Sequence, residues 1–220
     1  MGKTAIILGA TGLTGGLLLS RLLEDIEYSK VKVFGRRSCG IKHFKIEEYI
    51  IDLLELKKYK QEFTADVVFC CIGTTKAKSS DKEVYRAIDY GIPVNAAKLC
   101  QLNVIRKFIV ISAIGADPNS KVFYNRLKGE MEQAILKFKI PQTYILQPSL
   151  IVGPRDEQRL GERMAKYVLK ALQPILKGPL SNYQSISAKS ISSCMVYLAK
   201  YGCDTVKITS QNIKIIAKSL

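Results

Sequence analysis

Thr4-Ala-Ile-Ile-Leu8, Gly9-Ala-Thr-Gly12-Leu-Thr-Gly15 and the amphipathic run from Leu13 to Asp25 follow one another without a break near the start of the chain. An apolar strand, a glycine loop and a helix in that order decide the fold. The first glycine allows a turn at positive φ, and bare backbone lets a pyrophosphate approach closely. The helix that opens there points free N–H groups and the positive end of its dipole at the phosphates. A glycine triplet alone is weak evidence, but between a first strand and a first helix it reads as a dinucleotide loop. Gly9, Thr11, Gly12, Leu13, Thr14 and Gly15 are therefore expected to bind the cofactor. Gly2-Lys3-Thr4 looks like the end of a P-loop, but no glycine-rich stretch precedes it.

Outward from that loop, short apolar runs alternate with longer helical patterns. Val31–Phe34, Glu48–Ile51, Ala65–Cys71, Lys107–Ile111 and Thr143–Leu146 read as further strands. Residues 81–100 and 119–138 read as helices, the first broken or bent at Gly91 and Pro93. Strands joined through helices imply right-handed crossovers and a parallel sheet covered on both faces, a doubly wound α/β Rossmann fold. One domain over residues 1–220 is expected. After Pro148 the rhythm changes, and residues 149–220 are expected to supply a small irregular substrate-side lid and the last helices.

Composition narrows the function. With 220 residues and 47% apolar content the chain can bury a core without metal or disulfide staples. No apolar stretch approaches a membrane span. The net charge is +15, but lysines outnumber arginines 25 to 9 and lie along the whole chain. That is a solvated basic surface, not a nucleic-acid footprint, although its field would attract a phosphorylated cofactor. The six cysteines form neither a CxxC pair nor a zinc-spaced set, so reduced core thiols in the cytoplasm are expected and no metal site is. Cys70 and Cys71 should point to opposite sides of their strand.

Cofactor choice is read at the end of the second strand. In NAD-specific units an acid about 20 residues past the glycines accepts from the ribose 2′-hydroxyl. Here that place is Gly35, followed by Arg36 and Arg37, with no acid nearby. A guanidinium fork matches a 2′-phosphate. NADP(H) is the expected cofactor, with Arg36 the direct contact and Arg37 in support.

The GxxGxxG spacing resembles that of extended and atypical short-chain dehydrogenase/reductases, and further segments resemble that family in order. Asp52-Leu53 resembles its adenine-side pair. Cys71-Ile72-Gly73-Thr74 resembles its cofactor loop after the fourth strand. Ser112, Tyr124 and Lys128 match its Ser and YxxxK signature. Cys70–Thr75, Gly115-Ala-Asp117, Tyr124–Glu130 and Arg155–Glu162 are similar to the Tat-interacting-protein-like branch of atypical members. Two positions depart from it: Ala113 stands where that branch tends to carry a second Ser, and Gln147-Pro148 where it has Arg-Pro.

The resemblance implies hydride transfer between NADP(H) and a small carbonyl or hydroxyl substrate. A phenol is a poor acid-base group at neutral pH unless a cation stands beside it. Tyr124 and Lys128, four apart on a helix, share a face. Ser112 would orient the carbonyl. Pro148-Ser149-Leu150 would meet the nicotinamide, and Arg155 and Arg159 the substrate. Asp89 matches an acidic position of the family but reads as a solvated helix charge. The other readings are an NADPH sensor with little turnover, which Ala113 and Gln147 favour, and a nucleotide-sugar epimerase-like enzyme, for which the chain leaves little sugar-binding domain. The expected partner is a small molecule, not nucleic acid or membrane, and the expected state is monomer or homodimer.

Overall fold

The computed structural model describes residues 2–73, 81–153 and 184–220. Its elements, in chain order, are β1 (Lys3–Leu8), α1 (Leu13–Glu24), β2 (Tyr28–Gly35), β3 (Ile46–Ile50), a 3-10 helix (Leu53–Tyr59) and β4 (Val67–Cys70). There follow α2 (Lys82–Arg86), a π turn (Ala87–Gly91), α3 (Ile92–Leu102), β5 (Lys107–Ile111), α4 (Phe123–Leu136) and β6 (Gln142–Gln147). The chain continues with β7 (Ile151–Val152), β8 (Ile186–Ser187), α5 (Ala188–Lys200), β9 (Lys207–Thr209) and α6 (Ser210–Ile216).

Seven strands form one sheet in the order β3-β2-β1-β4-β5-β6-β9, every pair parallel. Burial on both faces explains why the central strands are apolar throughout. Ala5, Ile7, Val67, Phe69, Ile109 and Ile111 pack towards α1, α5 and α6. Their neighbours Ile6, Leu8, Val68, Cys70, Phe108 and Val110 pack towards the 3-10 helix, α3 and α4. Cys70 and Cys71 do face opposite ways, and all six thiols are free.

Several of the many lysines serve the fold. Lys45 Nζ donates to Leu23 O at 2.7 Å and Asp25 O at 2.9 Å, and Lys107 Nζ donates to Ala199 O. Each ammonium thus meets the negative end of a helix. Lys32, buried inside β2, reaches Glu62 O at 2.8 Å and Thr64 Oγ1 at 2.9 Å.

The helix expected to break or bend at Gly91 and Pro93 is interrupted at Ala87–Gly91 but does not end. The π turn carries it through, with Ile92 N–H bonded to Ala87 O, and Pro93 falls in the first turn of α3. There its missing N–H costs little. Beyond Pro148 the last helices are present, with α5 packed against α1, and β9 adds a seventh strand; the expected lid falls mostly on residues 154–183, outside the described residues. No described helix is long and apolar enough to cross a membrane.

Candidate functional site

Because every strand runs the same way, the segments after β1, β2, β3, β4, β5 and β6 meet at one rim of the sheet. Gly9–Gly15, Arg36-Arg37, Asp52-Leu53, Cys71-Ile72-Gly73, Ser112 and Pro148-Ser149-Leu150 all lie there. This is where open α/β sheets bind ligands. Thr74, Arg155 and Arg159 lie outside the described residues.

The glycine loop is built by close approach. Gly9 has φ +88°, and a Cβ on it would stand 3.0 Å from Cys71 O. A Cβ on Gly15 would stand 2.2 Å from Gly9 O, so no side chain fits there. Gly12 caps α1 and contributes no side-chain hydrogen bond. The N-termini of the 3-10 helix, α2, α5 and α6 are met instead by Asp52, Asp81, Ser187 and Thr209. The α1 terminus thus keeps the N–H groups that four other termini spend on side chains, which fits a pyrophosphate.

Around that loop, Arg36 and Arg37 are exposed just past β2. Asp52 accepts from Leu54 N at 2.9 Å. Leu53 is buried in the core. The Ser149 hydroxyl donates to Gln184 O and accepts from Ser210 Oγ, while Leu150 is exposed.

The loop after β5 sets α4 in place. A Cβ on Gly129 would meet Pro118 N at 2.2 Å, so helix and loop touch backbone to backbone. Tyr124, Lys128 and Glu132 then fall on successive turns of one helix face. Tyr124 is 36% exposed, and its ring meets the edge of Tyr85 at 6.2 Å. Lys128 is buried, and its ammonium stands 3.0 Å from Asp89 Oδ1, also buried. Asp89 is therefore not the solvated charge that its sequence suggested. It lies on the stripe Tyr85, Asp89, Ile92, Ala96, the buried face of this helix.

Burial pushes the Tyr124 phenol up; Lys128 pulls it down and Asp89 pushes it up again, and the net direction is up. Burial alone would push Lys128 down, but the charge and hydrogen bond of Asp89, with Tyr124, carry it up. The Cys70 thiol below them is pushed up to about 12 by burial.

Ser112 is brought to the same helix, but its hydroxyl donates to Glu132 Oε1 at 2.5 Å. Gln147 Nε2 donates to both Glu132 oxygens at 2.9 and 3.1 Å, and Lys207 Nζ lies 2.8 Å from Oε2. Sequence reasoning took Asp89 for a solvated charge and missed Glu132 and Lys207. Both acids had a signal, a carboxylate at the helical spacing of buried apolar residues. Lys207 had none.

A parallel sheet with a bare helix terminus at its rim defines a nucleotide-binding protein of the Rossmann kind. A family described as NAD(P)H-binding matches residues 9–150, and the chain belongs to that family. Among its relatives, Protein HTATIP2 of Rattus norvegicus is 32% identical over 168 residues, 74% of this chain and 69% of that protein. Protein FMP52-1, mitochondrial, of Scheffersomyces stipitis is 31% identical over 175 residues, 77% of this chain and 76% of that protein. The Bordetella bronchiseptica enzyme WbmG in complex with NAD superposes with a TM-score of 0.71 over 100% of this chain and 78% of that one, at 11% identity. UDP-glucose 4-epimerase of Thermotoga maritima with UDP-glucose gives 0.70 over 98% and 82%, at 16% identity. At those identities the likeness is one of fold.

Proposed function

We propose that the chain is an NADP(H)-dependent oxidoreductase that reduces a small carbonyl compound. The observation that carries this reading is the Tyr124–Lys128 pair on the α4 face beside the glycine-lined rim. The α1 terminus and the Gly9–Gly15 loop would hold the pyrophosphate, Arg36 and Arg37 the 2′-phosphate, and Asp52 with the Leu53 backbone the adenine. The nicotinamide, when bound, supplies the hydride. Tyr124 gives its phenolic proton to the carbonyl oxygen as the carbon receives hydride, and regains a proton from solvent. Lys128 stabilises the phenolate so formed.

NADPH oxidation against a panel of aldehydes and ketones tests the reading. With a turned-over substrate, Tyr124→Phe should lower kcat by on the order of 10²-fold or more, while NADPH affinity stays close to the native value. Full activity in that variant removes Tyr124 from the role.

A second reading, an NADPH sensor with little turnover, has its own observation. The Ser112 hydroxyl is committed to Glu132, and Ala113 beside it has none to offer a carbonyl. NADPH binding without oxidation by any panel member would favour the sensor. As to compartment, free thiols suit any reducing one, and the yeast relatives carry "mitochondrial" in their names.

A further inference from the structure

Residues 35–46 contain no acid, but the fold brings one to the end of β2 from the neighbouring strand. Glu48 lies opposite Val33 in the parallel register of β2 and β3. Its Oε1 accepts from Cys39 N at 2.6 Å and its Oε2 from the Ser38 hydroxyl at 2.8 Å. The Ser38 oxygen in turn accepts from Gly40 N at 3.0 Å, and Gly40 turns the chain with φ +74°. Hydrogen bonds to a carboxylate are roughly twice as strong as neutral ones. The Cys39 N–H, with the Cys39 thiol and the Ser38 hydroxyl, holds this carboxyl below the usual carboxylate range.

On the other side of the arginines, Gly35 O accepts from Ile51 N at 2.8 Å. A Cβ on Gly35 would stand 3.3 Å from Arg37 O, so the chain turns tightly there. Arg36 and Arg37 are thus bracketed between two ties to the β3 segment, one at Ile51 and one at Glu48. We propose that Glu48 is a positioning residue for the 2′-phosphate of NADP(H). It staples Ser38 and Cys39 to β3, so that the two arginines stand at the rim before the cofactor arrives. Its own oxygens are spent on that staple, and not on a ribose 2′-hydroxyl, the partner of the acid in NAD-specific units. This rests on the NADP(H) reading above and deepens it.

The fold does not need this staple. Strands β2 and β3 are already paired from Val31 to Gly35, so their register is set without it. What it orders is the loop. Two adjacent guanidinium groups repel each other, and each side chain loses much freedom when it is held. A loop left free would meet that cost at the moment of binding, and one fixed beforehand does not. Among the described residues, the neighbouring acids are engaged elsewhere. Glu47 meets Lys30 at 2.8 Å and the Tyr49 hydroxyl, and Asp52 accepts from Leu54 N.

Calorimetric titration of NADPH and NADH into the unmutated protein, Glu48→Ala, Glu48→Gln and Ser38→Ala tests the proposal, with thermal unfolding to confirm that each is folded. The sign of the effect separates a staple from a bystander, because a carboxylate that merely stood near a phosphate would repel it. Glu48→Ala should weaken NADPH by on the order of tenfold, through the lost order of two arginine side chains, and leave NADH unchanged. Glu48→Gln keeps an acceptor oxygen in place and should restore most of that loss. Ser38→Ala keeps the charge, removes the hydroxyl that bonds both Glu48 and Gly40, and should also weaken NADPH alone. NADPH bound as tightly by Glu48→Ala as by the unmutated protein, or more tightly, overturns the proposal. So does an equal loss of both cofactors, the mark of a role in the fold only. Should Glu48→Ala fail to fold, Ser38→Ala reads the same ratio of affinities, and an unchanged ratio there overturns it. Equal binding of both cofactors by the unmutated protein defeats the NADP(H) reading and takes this role with it. A native preference that survives Glu48→Ala defeats the role of Glu48 and leaves that reading standing.

Discussion

Glu132 shows how far single residues could be read. That Tyr124 and Lys128 share one helix face was legible because residues four apart on a helix do so. The partners that decide their charge were not, since a carboxylate on a helix looks the same in sequence whether it meets water or a lysine. Ser112 was legible as a residue, but not the direction of its hydroxyl, which a buried acid two turns beyond Tyr124 determines. The same network explains Gln147. An uncharged amide there can donate to both oxygens of Glu132, while Lys207 brings the cation from β9. Magnitudes separate the members. Glu132 is 1% exposed, whereas the Lys207 side chain is 48% exposed and its attraction is screened. Glu132→Gln keeps the volume but turns one acceptor into a donor facing Ser112 and Gln147, at a cost of about 2–3 kcal/mol. Lys207→Met should cost under about 1 kcal/mol. Denaturant unfolding of both variants measures the difference, and equal costs would show that the ion pair, not the hydrogen bonds, holds the cluster.

At the scale of elements, β1 and the loop into α1 were legible because each layer of the pattern agreed: apolar run, glycines, helical spacing. The helix of residues 82–102 was harder. Gly91 and Pro93 are breakers by local propensity, yet the π turn absorbs the proline at a helix start. Packing of Ile92, Ala96 and Leu99 into the core holds the helix together on the far side. Strand β9 has three residues and a single fully buried one, Ile208, too short for alternation to show. The glycine loop permits a sharper prediction, because its members do different work. A Cβ on Gly15 would collide with Gly9 O at 2.2 Å, whereas one on Gly12 would lie 3.3 Å from the same atom. Gly15→Ala should therefore destabilise the fold by about 1–3 kcal/mol through overpacking. Gly12→Val should stay folded and lose dinucleotide binding, since its branched side chain stands at the mouth of α1. Thermal unfolding and an NADPH titration of each variant separate the two. Unchanged NADPH affinity in a folded Gly12→Val would remove the loop from cofactor binding.

For the whole molecule, charge is the property that the sequence shows most openly, and the question is what a net +15 does. A field spread over lysines attracts any dinucleotide and is screened within about 10 Å at 0.1 M salt. It cannot by itself tell NADPH from NADH. Discrimination needs a donor fork at one place, and Arg36 and Arg37 stand exposed at the rim, past β2, where an acid would mark NAD specificity. Successive arginines point differently, so one can meet a 2′-phosphate while the other lies on the adenine or in solvent. The global and local contributions then separate by substitution. Lys60, exposed and after the 3-10 helix, belongs only to the diffuse field. Lys60→Ala should weaken both cofactors slightly and equally, and more salt should do the same. Arg36→Ala should weaken NADPH by roughly 1.5–3 kcal/mol, the range of a charge-assisted contact, and leave NADH nearly unchanged. Calorimetric titration of both cofactors into the three proteins at two ionic strengths reads these effects apart. If the unmutated protein binds NADH and NADPH equally, the arginines are part of the basic surface and the preference for NADP(H) falls.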